Sequence, residues 1–310
     1  VVNKMNYKHI LLASLSGFLF LSSCATQKNK VQTKTVTKVI RDTVFINKKT
    51  EQPMVARFAK LDDYKINTNY FPSIGQDERI RHVVLHYTSM DQEPSLRVLS
   101  TRQVSSHYVV GDSFDDEIFA LVDESKRAWH AGVSKWKGLD NINFSSIGIE
   151  IVNKSNDNKY GGIDFVPYPE YQFRKVAALT KDIVDRYNIE PTNVIGHSDV
   201  APGRKHDPGP QFPWKRLYLE YGVGAWYDDA DKNGYLYQYP YDTSSFTFIQ
   251  QFQNDLAKYG YNIAITGVWD DQTKKVIQAF QYHFRPEKYD GVLDAETWAI
   301  LQALNYKYSK

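Results

Sequence analysis

The chain has 310 residues, 42% of them hydrophobic and 24% charged, which is room for about two domains with real cores. A net charge of +2 is too mild to argue for nucleic acid, and no nucleic-acid partner is expected. Aromatic residues reach 14%, with 22 Tyr, a supply that would suit stacking on carbohydrate but that cores and interfaces use as readily, so it decides nothing.

Val1 to Lys4 are read as preceding the true start at Met5, which opens a weakly basic segment. The apolar run Ile10–Leu21 is too short to span a bilayer comfortably, so residues 1–24 read as a signal peptide. Its end, Leu21-Ser-Ser-Cys24, resembles a bacterial lipobox, in which cleavage leaves Cys24 as the lipidated first residue. Cys24 is the only cysteine, so no intramolecular disulfide is expected; the plainer alternative is an ordinary export signal followed by a free thiol. Residues 25–54 are rich in Lys, Thr, Gln, Asn and Val, cannot bury enough surface to fold alone, and read as a tether. The Thr/Val alternation of Thr35–Val39 would also suit a strand paired elsewhere.

A first domain is expected over 55–222. Ile80–Ser89 has a buried-strand core in Val83-Val84-Leu85 and delivers His86, followed by Tyr87, at its carboxyl end. A short helix over Ser95–Thr101 leads to a strand over Val104–Val110 that holds His107. Another strand covers Ile118–Val122, and Ala128–Gly132 is a loop that carries His130. In the strand Ser145–Asn153, Glu150 interrupts an apolar run. A lone buried carboxylate is costly, so it needs either a partner or a catalytic task. Tyr168–Tyr187 has helical spacing, with Val176, Leu179, Ile183 and Val184 on one face, and ends at Asn188. Strands alternating with helices give an α/β domain: a mixed sheet flanked by helices.

The stretch Val194–Pro210 ends a short apolar run in His197 and then enters a loop stiffened by Pro202, Pro208 and Pro210. A neutral imidazole and the carboxylate of Asp207 both suit Zn²⁺. In an extended loop Lys205 would point the same way as Asp207, as a cation for a developing oxyanion, and His206 would point away. The same pattern is also compatible with a surface loop of incidental charge.

Residues 223–244 read as a linker. Asp229, Asp231, Asn233 and Gly234 imitate the opening of a calcium loop, but Pro240 stands where the bidentate Glu belongs, so a structured surface turn is expected instead. From 245 to 310 the chain carries a short repeat: Thr266-Gly-Val-Trp-Asp-Asp-Gln-Thr273 recurs as Asp290-Gly-Val-Leu-Asp-Ala-Glu-Thr297. Asp270 and Asp294 are placed as helix N-caps, and Phe252-Gln253 and Phe280-Gln281 as residues opening or closing helices. This half resembles the all-α three-helix peptidoglycan-binding domain; a helical appendage without ligand is the plainer alternative.

His197-Ser-Asp-Val-Ala-Pro-Gly-Arg-Lys205-His-Asp207-Pro-Gly-Pro, with Phe212-Pro-Trp214 behind it, resembles the second-ligand segment of the zinc-dependent N-acetylmuramoyl-L-alanine amidases. Within them it is most similar to the lipoprotein and anhydro-muropeptide amidases of bacterial envelopes. The resemblance implies His86, His197 and Asp207 as the three ligands of a catalytic zinc, since some related proteins use a cysteine in third place and none is available here. It implies Glu150 as general base on the zinc-bound water and Lys205 as oxyanion partner. His130, His107 and Tyr87 become candidate substrate contacts. The implied reaction is hydrolysis of the amide between N-acetylmuramic acid and L-alanine, in peptidoglycan or anhydro-muropeptides. The implied setting is the periplasm, with the membrane held through lipid on Cys24, most simply in the outer membrane. A binding protein of the same fold that recognises muropeptides without cutting them is the competing reading; such relatives typically lack a zinc ligand.

Overall fold

The computed structural model of the chain describes residues 74–309, so the expected signal peptide, Cys24, the tether and the first residues of the expected 55–222 domain lie outside the described residues. Gln76–Lys310 forms one compact unit. Its first part runs β1 (His82–Tyr87), α1 (Gln92–Thr101), β2 (Tyr108–Val110), β3 (Phe119–Ala120), a hairpin of β4 (Lys135–Trp136) and β5 (Leu139–Asp140), and β6 (Ser146–Ile151). A second hairpin of β7 (Asn156–Asp157) and β8 (Ile163–Asp164) follows, then α2 (Glu170–Tyr187), β9 (Val194–Gly196) and the single turn α3 (His197–Val200). The second part is helical: α4 (Trp214–Tyr221), α5 (Asp229–Leu236), α6 (Phe246–Tyr259), α7 (Asp271–Phe284) and α8 (Ala295–Tyr308).

The main sheet has the order β3-β2-β6-β1-β9. β2, β6, β1 and β9 are parallel and β3 is antiparallel, which makes the sheet mixed, as expected. Its central strands are apolar on both faces because both are covered; Val83, Val84, Leu85, Ile147, Ile149 and Ile151 are fully buried. α2 lays Phe173, Val176, Ala177, Thr180 and Ile183 onto β1 and β2, and ends where Asn188 turns left-handed at φ 49°. Both edges of the sheet are short. β3 has two residues, and β9 has three, with Val194 and Ile195 each 1% exposed.

Several expected elements change extent. The strand expected over Val104–Val110 shortens to β2, because the chain before it is held as a loop by Ser105 N–H donating to Trp129 O and His107 N–H donating to Gly148 O. The strand expected over Ile118–Val122 shortens to β3. The surface turn expected near Asp229 is the helix α5, whose Asp229 and Asp231 sit in the first turn where negative charge suits the helix dipole, and which packs on α8.

The repeat has one structural meaning in both copies. Gln253 and Gln281 are completely buried and act as clamps on the loop that follows their helix. Gln253 accepts from Gly267 N–H at 2.9 Å and donates to Val268 O and Thr273 Oγ1; Gln281 accepts from Gly291 N–H at 2.8 Å and donates to Val292 O and Thr297 Oγ1. Both glycines take φ 72°, which a side chain rarely adopts. Asp270 and Asp294 cap α7 and α8 by accepting from Thr273 and Thr297 N–H, as expected. Phe252-Gln253 and Phe280-Gln281 lie inside α6 and α7 rather than at their ends.

The helices share a core with the sheet domain. Trp136 meets the rings of Tyr259 and Tyr261, with centroids 6.1 and 5.0 Å away, and Leu256, Phe280 and Phe284 continue the same buried cluster.

Candidate metal centre and active site

Parallel strands place functional side chains at their carboxyl ends, and β1 and β6 do so in register: His86 is the pairing partner of Glu150. Alternation puts His82, Val84 and His86 on one face with Ser146, Gly148 and Glu150. His197 arrives from the next strand, as the first residue of α3 rather than the last of β9. The loop after α3 returns to the same place, where Ser198 N–H donates to Asp207 O at 2.9 Å.

Three donor atoms converge there. His86 Nδ1 and His197 Nδ1 are 2.9 Å apart, and each lies within 3.0 Å of Asp207 Oδ2. All three residues are buried. They form the metal-competent group of His, Cys, Asp or Glu side chains found among the described residues.

The outer hydrogen bonds determine which nitrogens carry protons. His197 Nε2 faces Ala131 O at 3.0 Å; a carbonyl only accepts, so Nε2 is protonated and Nδ1 is bare. For His86 the assignment runs along a relay. Ser146 Oγ donates to Ile142 O at 2.7 Å and therefore accepts from His130 Nε2 at 3.1 Å. His130 Nδ1 then accepts from His86 Nε2 at 3.0 Å, which leaves His86 Nδ1 bare as well. Two unprotonated imidazole nitrogens and a carboxylate oxygen thus face one point with no proton to share, an arrangement that is repulsive unless a cation takes the lone pairs. The donor set, two imidazoles and one carboxylate, fits Zn²⁺. Burial holds the His86 imidazole down at about 4, with the neighbouring His197 pushing the same way.

A cleft of about 350 Å³ opens over this cluster, lined by Tyr87, Trp129, His130, Glu150, Lys205 and Asp207 among others. Glu150 keeps some exposure to the cleft, but its Oε2 is buried without a hydrogen-bond partner. Burial and the charge of Asp207 push its carboxyl well above the ordinary value, and Lys205 opposes them. His206 lines the same cleft rather than pointing away, because the turn at Ala201–Lys205 is not extended; Arg204 and Lys205 N–H both return to Ala201 O.

His107 needs correcting as a substrate contact. It is completely buried, with Nδ1 accepting from Gly148 N–H and Nε2 donating to Lys126 O, so it fastens loops beneath the site. His130 does line the cleft, yet both of its ring nitrogens belong to the relay. Sequence reasoning overlooked Ser146, the Ala131 carbonyl and Arg204, whose Nη2 donates to Ala131 O and Val133 O at 2.8 and 2.6 Å. The parity of Ser146, Gly148 and Glu150 in one strand was a signal for Ser146; nothing in a sequence marks a backbone carbonyl.

A mixed α/β sheet presenting a His-His-Asp cluster beside an unpartnered carboxylate defines the class of metal-dependent hydrolases. Residues 76–210 match the family model described as N-acetylmuramoyl-L-alanine amidase, and residues 247–301 match that of a peptidoglycan binding domain. The chain is 42% identical over 241 residues to the N-acetylmuramoyl-L-alanine amidase AmiD of Escherichia coli, covering 75% of this chain and 84% of that protein. The 1,6-anhydro-N-acetylmuramyl-L-alanine amidase AmpD of Enterobacter cloacae is 43% identical over 104 residues, 34% of this chain and 51% of that protein. Among solved structures, AmpDh3 of Pseudomonas aeruginosa superimposes with a TM-score of 0.73 at 42% identity, over 80% of this chain and all of that one. E. coli AmiD, solved with its substrate anhydro-N-acetylmuramic acid-L-Ala-D-γ-Glu-L-Lys, gives 0.70 at 40% identity, over 80% and 96%. This chain belongs to the N-acetylmuramoyl-L-alanine amidase family.

Proposed function

We propose that the protein hydrolyses the amide between N-acetylmuramic acid and L-alanine, in peptidoglycan or in anhydro-muropeptides, with His86, His197 and Asp207 holding a zinc ion. The observation that carries this reading is the convergence of two bare imidazole nitrogens and one carboxylate oxygen within 3.0 Å of each other. Bound there, zinc would supply a cation that acidifies a water toward a pKa of roughly 7 and polarises the substrate carbonyl. Glu150 accepts the proton of the attacking water at its carboxylate and returns it to the leaving amine. Lys205 lines the same cleft and contributes positive charge toward the carbonyl oxygen as it becomes negative. Tyr87 and His130 form cleft walls against which substrate is placed.

In this reading residues 55–222 are the amidase domain, 223–244 connect it, and 245–310 form the peptidoglycan-binding domain. Export through residues 1–24 and a lipid on Cys24, followed by the 25–54 tether, hold the enzyme facing the periplasm, at the outer membrane. Incorporation of labelled palmitate into the wild type but not into Cys24→Ala tests the anchor.

The test of the activity is mass spectrometry of peptidoglycan and soluble muropeptides incubated with the protein, with and without chelator and then zinc. Free peptides beginning at L-alanine, lost on chelation and restored by zinc, are expected. Binding without cleavage by the zinc-loaded protein would make it a recognition protein instead.

A further inference from the structure

We propose that the helical domain is part of the catalytic centre: Tyr261 and His283 are positioning residues that hold Asp199, and through it the turn that presents His197 to the metal. The proposal rests on the reading of His197 as a zinc ligand.

Asp199 stands two residues after His197 and is completely buried. It accepts three hydrogen bonds. Its Oδ2 takes the Gly196 N–H at 2.7 Å, closing the start of α3 on itself, and the Nδ1–H of His283 at 2.7 Å. Its Oδ1 takes the hydroxyl of Tyr261 at 2.6 Å. Only the first of these comes from the sheet domain; the other two cross from the helical one. Two charge-assisted bonds to a carboxylate inside a core are short and directional, so the position of α3 depends on where the helical domain puts its donors.

Those donors are themselves fixed. The His283 ring lies flat against Trp214, with centroids 3.8 Å apart at an angle of 19°, and Tyr261 packs on Trp136 and Phe280. The same helix supports the rest of the ligand loop. The stem of Lys275 fills the space over Gly203, where a Cβ would meet it at 2.4 Å, and the ring of Tyr282 meets His206, the neighbour of Asp207, with its hydroxyl 3.4 Å from Nδ1. One face of α7 therefore backs the whole 197–207 segment between the two later zinc ligands.

A merely structural role predicts that any equal loss of helical-domain stability has the same effect on the metal. A positioning role predicts that the brace atoms matter beyond stability. In the full-length protein, Tyr261→Phe and His283→Leu are expected to weaken zinc binding by about 10- to 100-fold in competition with a chromophoric chelator, the range for outer partners of a metal ligand. They should lower kcat on an anhydro-muropeptide while KM stays near wild type. His283→Asn, which keeps a donor, should recover most of both. Leu304→Ala removes core packing in α8 without touching the brace, so at a matched loss of Tm it should leave zinc affinity near wild type. Folded Tyr261→Phe and His283→Leu proteins with wild-type zinc affinity and kcat would overturn the proposal, as would an equal loss of zinc in Leu304→Ala. Tyr261→Phe deletes a single hydroxyl and keeps the test available if His283→Leu fails to fold. Failure of the wild type itself to bind zinc would overturn the ligand reading and this proposal together; normal wild type with silent variants would overturn this proposal alone.

Discussion

Gly148 lies directly beneath the imidazole of His130, so close that a Cβ built on the glycine would stand 2.5 Å from the ring. The glycine is there for space, since the His130 ring occupies what a neighbouring strand residue would fill with its own side chain. Gly148→Ala must push the ring out of the relay that fixes His86. It is expected to destabilise the fold by about 1–3 kcal/mol through overpacking and to weaken zinc binding by about 10-fold or more. Thermal unfolding and chelator competition on the same variant check both.

Glu150 is tied to His86 by strand register and has no hydrogen-bond partner on its buried oxygen, so its exchange should leave the fold intact. Glu150→Gln is expected to keep zinc and lose about 10²- to 10⁴-fold in kcat, the usual contribution of a general base. Near wild-type turnover by the zinc-loaded variant would assign proton transfer to another group.

Stability should fall on the acid side for a reason written into β1. His82 is 1% exposed, with its ring against Ser145, and burial holds it at about 4 against an ordinary 6.5. Between those values the unfolded chain takes a proton that the folded chain refuses, so stability is fully present above about 6.5 and is lost as pH falls toward 4. For His82 the loss is on the order of 3 kcal/mol, and His86, His107 and His130 are shifted in the same direction and add to it. With excess chelator present, the Tm of the wild type should drop steeply over this window, and His82→Gln should flatten part of the slope.

The glutamine clamps give a test of the repeat. Gln253→Leu keeps the volume, strands the buried Gly267 N–H and removes the donor shared by Thr266 Oγ1, Val268 O and Thr273 Oγ1, an expected loss of about 2 kcal/mol. Gln281→Leu should cost a similar amount because it breaks the equivalent set, whereas Gln302→Leu, at a half-buried position, should cost less. Denaturant unfolding of the three variants ranks them.

Much of this arrangement was legible in the chain because it is encoded locally. The apolar cores of β1 and β6 announce buried strands, the Asp–Thr spacing at 270–273 and 294–297 announces helix caps, and His197 to Asp207 sit in one prolonged motif. What stayed hidden depends on neighbours far away in sequence. The link from Asp199 to Tyr261 and His283 spans 62 and 84 residues, and no local pattern distinguishes a buried carboxylate with three donors from one exposed in a turn. His107 misled for the same reason: a histidine beside a strand looks reactive until the carbonyl of Lys126 and the N–H of Gly148 are seen to use up both nitrogens. Asp229–Leu236 reads as a turn by composition and becomes a helix only because α8 offers it a face.

The two short edges of the main sheet carry a consequence for how the molecule behaves in company. An open edge strand is a template for another chain, and a long parallel sheet would ordinarily offer two. Here β3 stops after two residues, too few to seed a ladder. β9 is buried, and the backbone at Gly224 passes beside it, where a Cβ would lie 3.9 Å from the Val194 side chain. Crowding copies of this protein together should therefore raise their local concentration without joining their sheets into fibres.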